Sequence, residues 1–132
     1  MTRFVVDSDV VLRIAAGEID VHPDHQLVAP SLVRSQVLAT LSVAVRSGEL
    51  DRKTAIQLLD RIAEIKMRLL ADRVSRRRAF EIAERLGCAT AEAEYLAVAQ
   101  LQADALVTLD EEFARQARGE VGLAPVDALT KP

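Results

Sequence analysis

The chain has 132 residues, of which half are hydrophobic and 28% are charged, a composition typical of one folded domain that excludes a disordered or collagen-like chain. Aromatic residues make up only 3% and Trp is absent, so the core must be aliphatic and a base-stacking platform of the single-strand-binding kind is not expected. The net charge of −3 excludes a surface that is cationic all round, so any nucleic acid must meet a local patch or bound metal ions.

The single cysteine and the first residues of the chain indicate the cellular compartment of the protein. Cys88 has no second cysteine with which to form a disulfide, which fits a reducing cytoplasm. The apolar run that begins at Phe4 is interrupted by Asp7 and Asp9, so it is too short for a signal-peptide core or a membrane span. We therefore expect a cytoplasmic protein with no membrane association.

Hydrophobic periodicity in the first half of the chain predicts two short apolar runs and three helices. We expect, in chain order, a strand over 3–6, a helix from Ser8 to Gly17 with Ser8 or Asp9 as its N-cap, an apolar run over 27–29, a long helix that is capped by Ser31 or one of its neighbours and ends at Gly48, and a helix from about Asp51 to Ile65. The last two helices are expected to pair in an antiparallel arrangement.

The second half of the chain continues this alternation. We expect, in chain order, a third strand over Met67–Leu70, a helix over 74–86 that ends at Gly87, a helix capped by Thr90, a strand over 105–109, a short helix to Arg118 and a last strand over 123–126. The last strand contains Pro125, which is compatible with a strand only at the edge of a sheet.

Short apolar strands that alternate with amphipathic helices favour an α/β fold, with a parallel sheet covered on both faces and one domain over 1–132. In such sheets the ligand binds outside the carboxyl ends of the strands. Asp7 and Asp110 each stand at the carboxyl end of a predicted strand. The fold is therefore expected to bring these two side chains to the same crevice.

Acidic side chains that converge at one edge of a sheet repel each other unless a cation lies between them. Glu92 is the third candidate, because it lies near the start of a predicted helix, where the helix dipole favours a negative charge, whereas Glu94 is expected to point away into solvent. Mg²⁺ or Mn²⁺ prefers oxygen ligands, retains several waters and can activate water toward a phosphodiester. The acids therefore indicate a site that acts on RNA or DNA through a divalent cation.

Four segments of the chain resemble the PIN-domain ribonucleases, and in particular the VapC-like toxins of prokaryotic toxin–antitoxin pairs. The segments are Phe4-Val-Val-Asp7-Ser-Asp9-Val-Val, Ala29-Pro30-Ser-Leu, Thr90-Ala-Glu92-Ala-Glu-Tyr95-Leu-Ala-Val-Ala99 and Leu106-Val-Thr108-Leu-Asp110. The resemblance implies a PIN-like three-layer fold, with four or five parallel strands between helices, and Mg²⁺-dependent endoribonuclease activity in which Mn²⁺ can replace Mg²⁺. It also implies an RNA substrate, a homodimer, and inhibition by a cognate antitoxin protein encoded alongside.

The same resemblance assigns roles to individual positions. Asp7 matches the first acid of the family, and Asp110 matches the acid of its Thr-x-Asp motif, with Thr108 as the hydroxyl that helps to orient this region. Glu92 stands where the family usually has Asp. Gln36 stands where the family carries Glu, and although its carbonyl oxygen can accept from a bound water, an amide cannot act as a base and supplies one negative charge fewer.

Asp9 offers compensation for the charge that Gln36 lacks. If Asp9 faces the same pocket, then Asp7, Asp9, Glu92 and Asp110 restore four carboxylates. The competing interpretation is that an aspartate after a strand serves only as a helix N-cap.

Two other functions remain open at this point. A PIN-fold module that has lost catalysis through Gln36 would only bind a partner or RNA. A phosphatase of the haloacid-dehalogenase kind would use Asp7 as its nucleophile and Asp9 as its acid, because Asp7-Ser-Asp9-Val resembles the opening motif of that family.

A cationic cluster in the second half of the chain also has two interpretations. The cluster comprises Arg73, Arg76, Arg77 and Arg78. Such a run is usually solvated surface, and the alternative is a phosphate track that leads to the acidic crevice.

Overall fold

The computed structural model describes residues 1–132 and contains one sheet of four parallel strands. The strands are β1 Arg3–Val6, β2 Gln26–Pro30, β3 Met67–Leu70 and β4 Ala105–Val107. Their order across the sheet is β3-β2-β1-β4. The predicted α/β fold with a parallel sheet is confirmed, and the sheet has four strands.

Six helices surround the sheet: α1 Ser8–Ala15, α2 Val33–Arg46, α3 Arg52–Glu64, α4 Arg73–Leu86, α5 Thr90–Gln102 and α6 Glu111–Ala117. From β1 to β3 the chain moves across the sheet in one direction, and it then returns to β4 on the other side of β1. Because crossovers between parallel strands are right-handed, α1, α2 and α3 lie on one face of the sheet and α4 and α5 on the other.

Aspartate side chains cap four of the six helices. Each accepts a hydrogen bond from a backbone N–H of the first helical turn, and the four are Asp7, Asp51, Asp72 and Asp110. The prediction that Ser8 or Asp9 caps α1 is therefore wrong, because Asp7 keeps an extended backbone and its own carboxylate accepts from the backbone N–H of Val10.

Helices α2 and α5 begin without a side-chain cap. Their N-cap residues are Leu32 and Ala89, whose side chains cannot accept a hydrogen bond, so the side-chain caps predicted at Ser31 or its neighbours and at Thr90 are both wrong. Thr90 instead lies inside the first turn of α5, two residues before Glu92. The free N–H groups of these first turns remain open to other acceptors.

The core lies between the sheet and its helices and is mainly aliphatic, with 25 buried residues in one cluster. Val5, Val6 and Leu106 on the strands are fully buried. Buried parallel strands are covered on both faces, which explains why their sequences are continuous apolar runs. No helix is both long enough and apolar enough to cross a lipid bilayer.

The predicted strand over 123–126 is wrong. Only one bridge forms there, between Leu123 and Leu106, and Val126–Leu129 is a 3-10 helix. Pairing stops at this point because Pro125 has no N–H to donate. The chain then turns inward and buries Leu129 completely. The strand predicted over 105–109 also ends early, because the Thr108 hydroxyl accepts from the backbone N–H of Asp110 and turns the chain toward α6.

Candidate active site

The predicted site residues meet at the carboxyl edge of the sheet. A cavity of about 170 Å³ opens there, and its lining includes Asp7, Asp9, Gln36, Glu92, Tyr95 and Asp110. Asp7 follows β1 and Asp110 follows β4, two strands that pair directly. Gln36 comes from the first turns of α2, and Glu92 from the first turn of α5. The sixth predicted residue, Thr108, contacts the cavity through its hydrogen bond to Asp7.

Asp7 is the buried acid of the cavity, with 8% of its surface exposed. One carboxylate oxygen, Oδ1, accepts from the backbone N–H of Val10 at 3.1 Å, and the other, Oδ2, accepts from the Thr108 hydroxyl. Burial raises the pKa of Asp7, the two hydrogen bonds oppose this rise, and the nearby charges of Asp9 and Asp110 add to it. The fold therefore holds a carboxylate where its negative charge is costly.

Asp110 and Glu92 present carboxylate oxygens that the protein does not use. Asp110 accepts through Oδ1 from the backbone N–H groups of Glu112 at 3.0 Å and Phe113 at 3.1 Å, and its Oδ2 has no donor within the protein. Glu92 forms neither a hydrogen bond nor an ion pair and is half-buried. Both side chains can therefore accept from a ligand in the cavity without breaking an existing bond.

Asp7 and Asp110 do cap helices, but in each residue only one carboxylate oxygen, Oδ1, serves as the cap. Asp9 caps no helix, is exposed, and lines the cavity in the first turn of α1. The four carboxylates that the sequence suggested thus face one space.

Gln36 makes a contact that the sequence did not indicate. The Tyr95 hydroxyl donates to Gln36 Oε1 at 2.5 Å. Tyr95 is buried, and this burial, together with the charge of Asp7, raises its pKa far above its usual range, so the hydroxyl remains a donor. Tyr95 thus fixes the Gln36 side chain, which retains two amide N–H donors and one free lone pair on Oε1, the oxygen that the sequence suggested as an acceptor.

The donor set of the cavity is chemically suited to a hard divalent cation. Its charged groups are all carboxylates, and its lining contains no cysteine and no histidine. No group of three His, Cys, Asp or Glu side chains is arranged to hold an ion by direct coordination. The fit is therefore to an ion held by one or two carboxylates that keeps water in its other positions, which is the usual behaviour of Mg²⁺.

Other sequence candidates lie elsewhere. Glu94 is not simply solvated, as expected, but is half-buried and lines a second cavity on the other side of α5. No lysine lines the acidic cavity, which leaves the phosphatase interpretation without a cation beside Asp7. Burial raises the pKa of the Cys88 thiol, which does not suit a nucleophile.

No protein-family model matches the chain, and no curated protein sequence matches it closely enough to count as a relative. Several solved chains are similar in fold, and two are described. PAE2754 from Pyrobaculum aerophilum has a TM-score of 0.74 and 20% sequence identity, over 97% of this chain and 92% of its own. A chain of VapBC2 from Rickettsia felis, in a structure bound to a DNA fragment from their promoter, has a TM-score of 0.57 and 16% identity, over 93% of this chain and 98% of its own. These similarities confirm the predicted PIN-like fold.

Proposed function

We propose that the chain is a metal-dependent endoribonuclease that cleaves RNA phosphodiester bonds and is the toxin of a type II toxin–antitoxin pair. The observation that carries the proposal is the convergence of Asp7, Asp9, Glu92 and Asp110 on one small cavity at the carboxyl edge of the sheet. The charges of Asp9 and Asp110 raise the pKa of Asp7, and a bound cation would relieve this repulsion.

Each side chain has a proposed role that follows from its contacts. Asp7, held by Thr108 and Val10, and Asp110, with its free Oδ2, are the residues that would hold Mg²⁺ or Mn²⁺. Glu92 and Asp9 would accept hydrogen bonds from the water that such an ion retains. The bound ion would supply activation of water and neutralisation of the charge that develops on the phosphate.

Gln36 has a different role from the family glutamate that it replaces. Tyr95 fixes its side chain through Oε1, so the amide N–H groups are left to donate to a phosphate oxygen of the RNA. A neutral donor does not repel the phosphate. In this proposal the charge that Gln36 lacks is supplied by Asp9.

The fold of a VapBC2 chain supports the toxin–antitoxin part of the proposal. It also motivates the proposed partners, which are a cognate antitoxin protein and a second copy of the chain in a homodimer.

The test is an RNA cleavage assay in Mn²⁺ with the wild type, Asp110→Asn and Gln36→Glu. We expect the wild type to cleave and Asp110→Asn to be inactive, because Asn keeps the helix cap and removes the charge. A wild type that is inactive in both Mg²⁺ and Mn²⁺ would contradict the proposal.

The second candidate function is a PIN-fold module that binds RNA or a partner without cleaving. The observation in its favour is the absence of a three-ligand metal site combined with an amide at position 36. Activity that appears only in Gln36→Glu would support this candidate over the nuclease.

A further inference from the structure

A second cavity lies beside the acidic one at the same edge of the sheet. Its volume is about 360 Å³, and Ser31, Arg76, Phe80, Thr90 and Glu94 are part of its lining. Ser31 directly follows β2, and Thr90 and Glu94 lie on α5. Thr90 lines this cavity and the next residue, Ala91, lines the acidic one, so the two cavities open on either side of the first turn of α5.

Arg76 is the cation of the arginine cluster that is free to bind a ligand in this cavity. Arg77 pairs with Glu81 at 3.4 Å, and Arg78 donates to Gln100 at 2.8 Å. Arg76 lines the cavity and has no acceptor within the protein. An unpaired guanidinium beside a cleft for a phosphodiester is suited to a phosphate oxygen.

Phe80 has a solvent-exposed aromatic ring. It lies on α4 with 67% of its surface exposed, in a chain whose other two phenylalanines are buried. Nucleic-acid bases stack on exposed aromatic rings, and unpaired RNA bases are recognised in this way. A single ring of this kind serves one base rather than a run of bases.

The carboxylate of Glu94 can distinguish between bases by the groups that they present to it. Its carboxylate lines the cavity and has neither a hydrogen bond nor an ion pair within the protein. A carboxylate accepts from the exocyclic amino group of cytosine and repels the carbonyl oxygen that uracil carries in its place. Adenine and guanine also carry amino groups.

From this combination we infer that the cavity of Arg76, Phe80 and Glu94 binds one nucleotide of single-stranded RNA next to the bond placed at Asp7 and Asp110, and prefers a base with an exocyclic amino group. The inference rests on the proposed function for the position of the cleaved bond. The ring of Phe80 stacks on the base, Glu94 accepts from its amino group, and Arg76 donates to a neighbouring phosphate.

A second copy of the chain is the other occupant to consider for the exposed side of α4. Two-fold pairing of this helix with itself would bring Arg73, Arg76 and Arg77 toward their own counterparts. Like charges placed face to face disfavour such an interface, whereas the same charges attract a polyanion. The charge on α4 therefore favours RNA.

The test is an NMR titration of the full chain without divalent metal, using cytidine 5′-monophosphate and uridine 5′-monophosphate as probes. We expect saturable shifts of the backbone amides around Arg76 and Thr90, with tighter binding of the cytidine nucleotide. Phe80→Ala should weaken binding by roughly tenfold, the cost of one lost stacking contact. Arg76→Gln should weaken both probes equally, and Glu94→Gln should remove the difference between them.

Two matched variants serve as controls. Val74 lies on the same helix and is 65% exposed but does not line the cavity, so Val74→Ala should bind as the wild type does. Arg52→Gln removes an exposed charge on α3, on the other face of the sheet from α4, and should also leave binding unchanged.

Three results would overturn the inference. They are an absence of saturable shifts around the cavity, equal binding by Phe80→Ala and the wild type, and a change in the sedimentation coefficient of Phe80→Ala, which would place Phe80 in an interface between copies. Nucleotide binding without RNA cleavage would overturn the proposed nuclease and support the cavity. RNA cleavage with the same KM in Phe80→Ala would overturn the cavity and support the nuclease.

Discussion

At the residue scale, the charge of Asp7 suits the candidate chemistry at a cost in stability. Its two oxygens accept from Val10 and Thr108, and its burial beside other acids makes the ionised form costly in the folded protein. Folded proteins often hold such destabilising groups at functional sites, and stability is recovered when the group is neutralised. Asp7 should therefore affect unfolding and cleavage in opposite directions.

Asp7→Asn is expected to lower RNA cleavage in Mn²⁺ by roughly a hundredfold or more, because a charged oxygen ligand is lost. The same variant should melt at a higher temperature than the wild type in metal-free buffer at neutral pH, since Asn keeps the N-cap and removes the buried charge. Cleavage assays and thermal unfolding followed by circular dichroism measure the two effects.

Asp51→Asn is the matched control for Asp7→Asn, because Asp51 caps α3, is exposed and lies outside the cavity. It should change neither property. A melting temperature for Asp7→Asn below that of the wild type would contradict the argument from burial.

The bond between Tyr95 and Gln36 gives a second prediction at this scale. Tyr95→Phe removes the donor at 2.5 Å from Gln36 Oε1 in a half-buried setting, and we expect a loss of about 1 kcal/mol in the free energy of unfolding. Urea denaturation of Tyr95→Phe, Gln36→Leu and the double variant measures the coupling. Strictly additive losses would show that the two side chains do not interact.

At the element scale, the two carboxylate oxygens of Asp110 have different roles, one in capping a helix and the other in the candidate chemistry. Its Oδ1 caps α6 through Glu112 and Phe113, while its Oδ2 is free. Asp110→Ala should lose about 1 kcal/mol of stability, whereas Asp110→Asn should lose only a few tenths, because Asn caps as well as Asp. Both variants should lose cleavage. If Asp110 were a cap and no more, Asp110→Asn would cleave as the wild type does.

The sequence was sufficient to predict most of the elements. The strands are short apolar runs, and the helices carry apolar residues at helical spacing, so both periods are visible along the chain. The errors occurred where a local side chain competes with the pattern: Asp7 rather than Ser8 or Asp9 caps α1, Thr108 ends β4 early, and Pro125 prevents a fifth strand.

The convergence of Asp7 and Asp110 could be predicted because parallel strands end at the same edge of a sheet. The side-chain contacts between helices that are distant in sequence could not be predicted. The bond between Tyr95 and Gln36 spans 59 residues, and the second cavity depends on how α4 and α5 are rotated against each other. No pattern within either helix encodes that rotation.

At the scale of the whole molecule, one ion pair connects the C-terminal end of α4 to the segment that follows α6. Arg85 on α4 donates to both carboxylate oxygens of Glu120, at 2.7 and 3.0 Å, and Gln100 on α5 donates to the backbone oxygen of Glu120 at 3.3 Å. The hydrogen bonds from Arg85 lower the pKa of Glu120. A carboxyl group with a lowered pKa stabilises the fold above its ordinary value of 4.5 and loses this effect as the pH falls.

Glu120→Gln should therefore be less stable than the wild type at neutral pH, and the difference should disappear as the pH falls through the lowered pKa. Thermal unfolding of both proteins between neutral and acidic pH measures this convergence. Glu84→Gln, at an exposed site with no ion pair, provides the control. A difference that is unchanged at acidic pH would mean that the charge of Glu120 is not its source.

The central claim is that acids from separate elements form one cation site. Its most direct measurement is Mn²⁺ binding followed by electron paramagnetic resonance, with the wild type, Asp7→Asn, Glu92→Gln, Asp110→Asn and Asp9→Ser. We predict saturable binding to the wild type, loss of binding in Asp7→Asn and Asp110→Asn, and weaker binding in Glu92→Gln and Asp9→Ser. Equal Mn²⁺ binding by all five proteins, or none by the wild type, would contradict the claim.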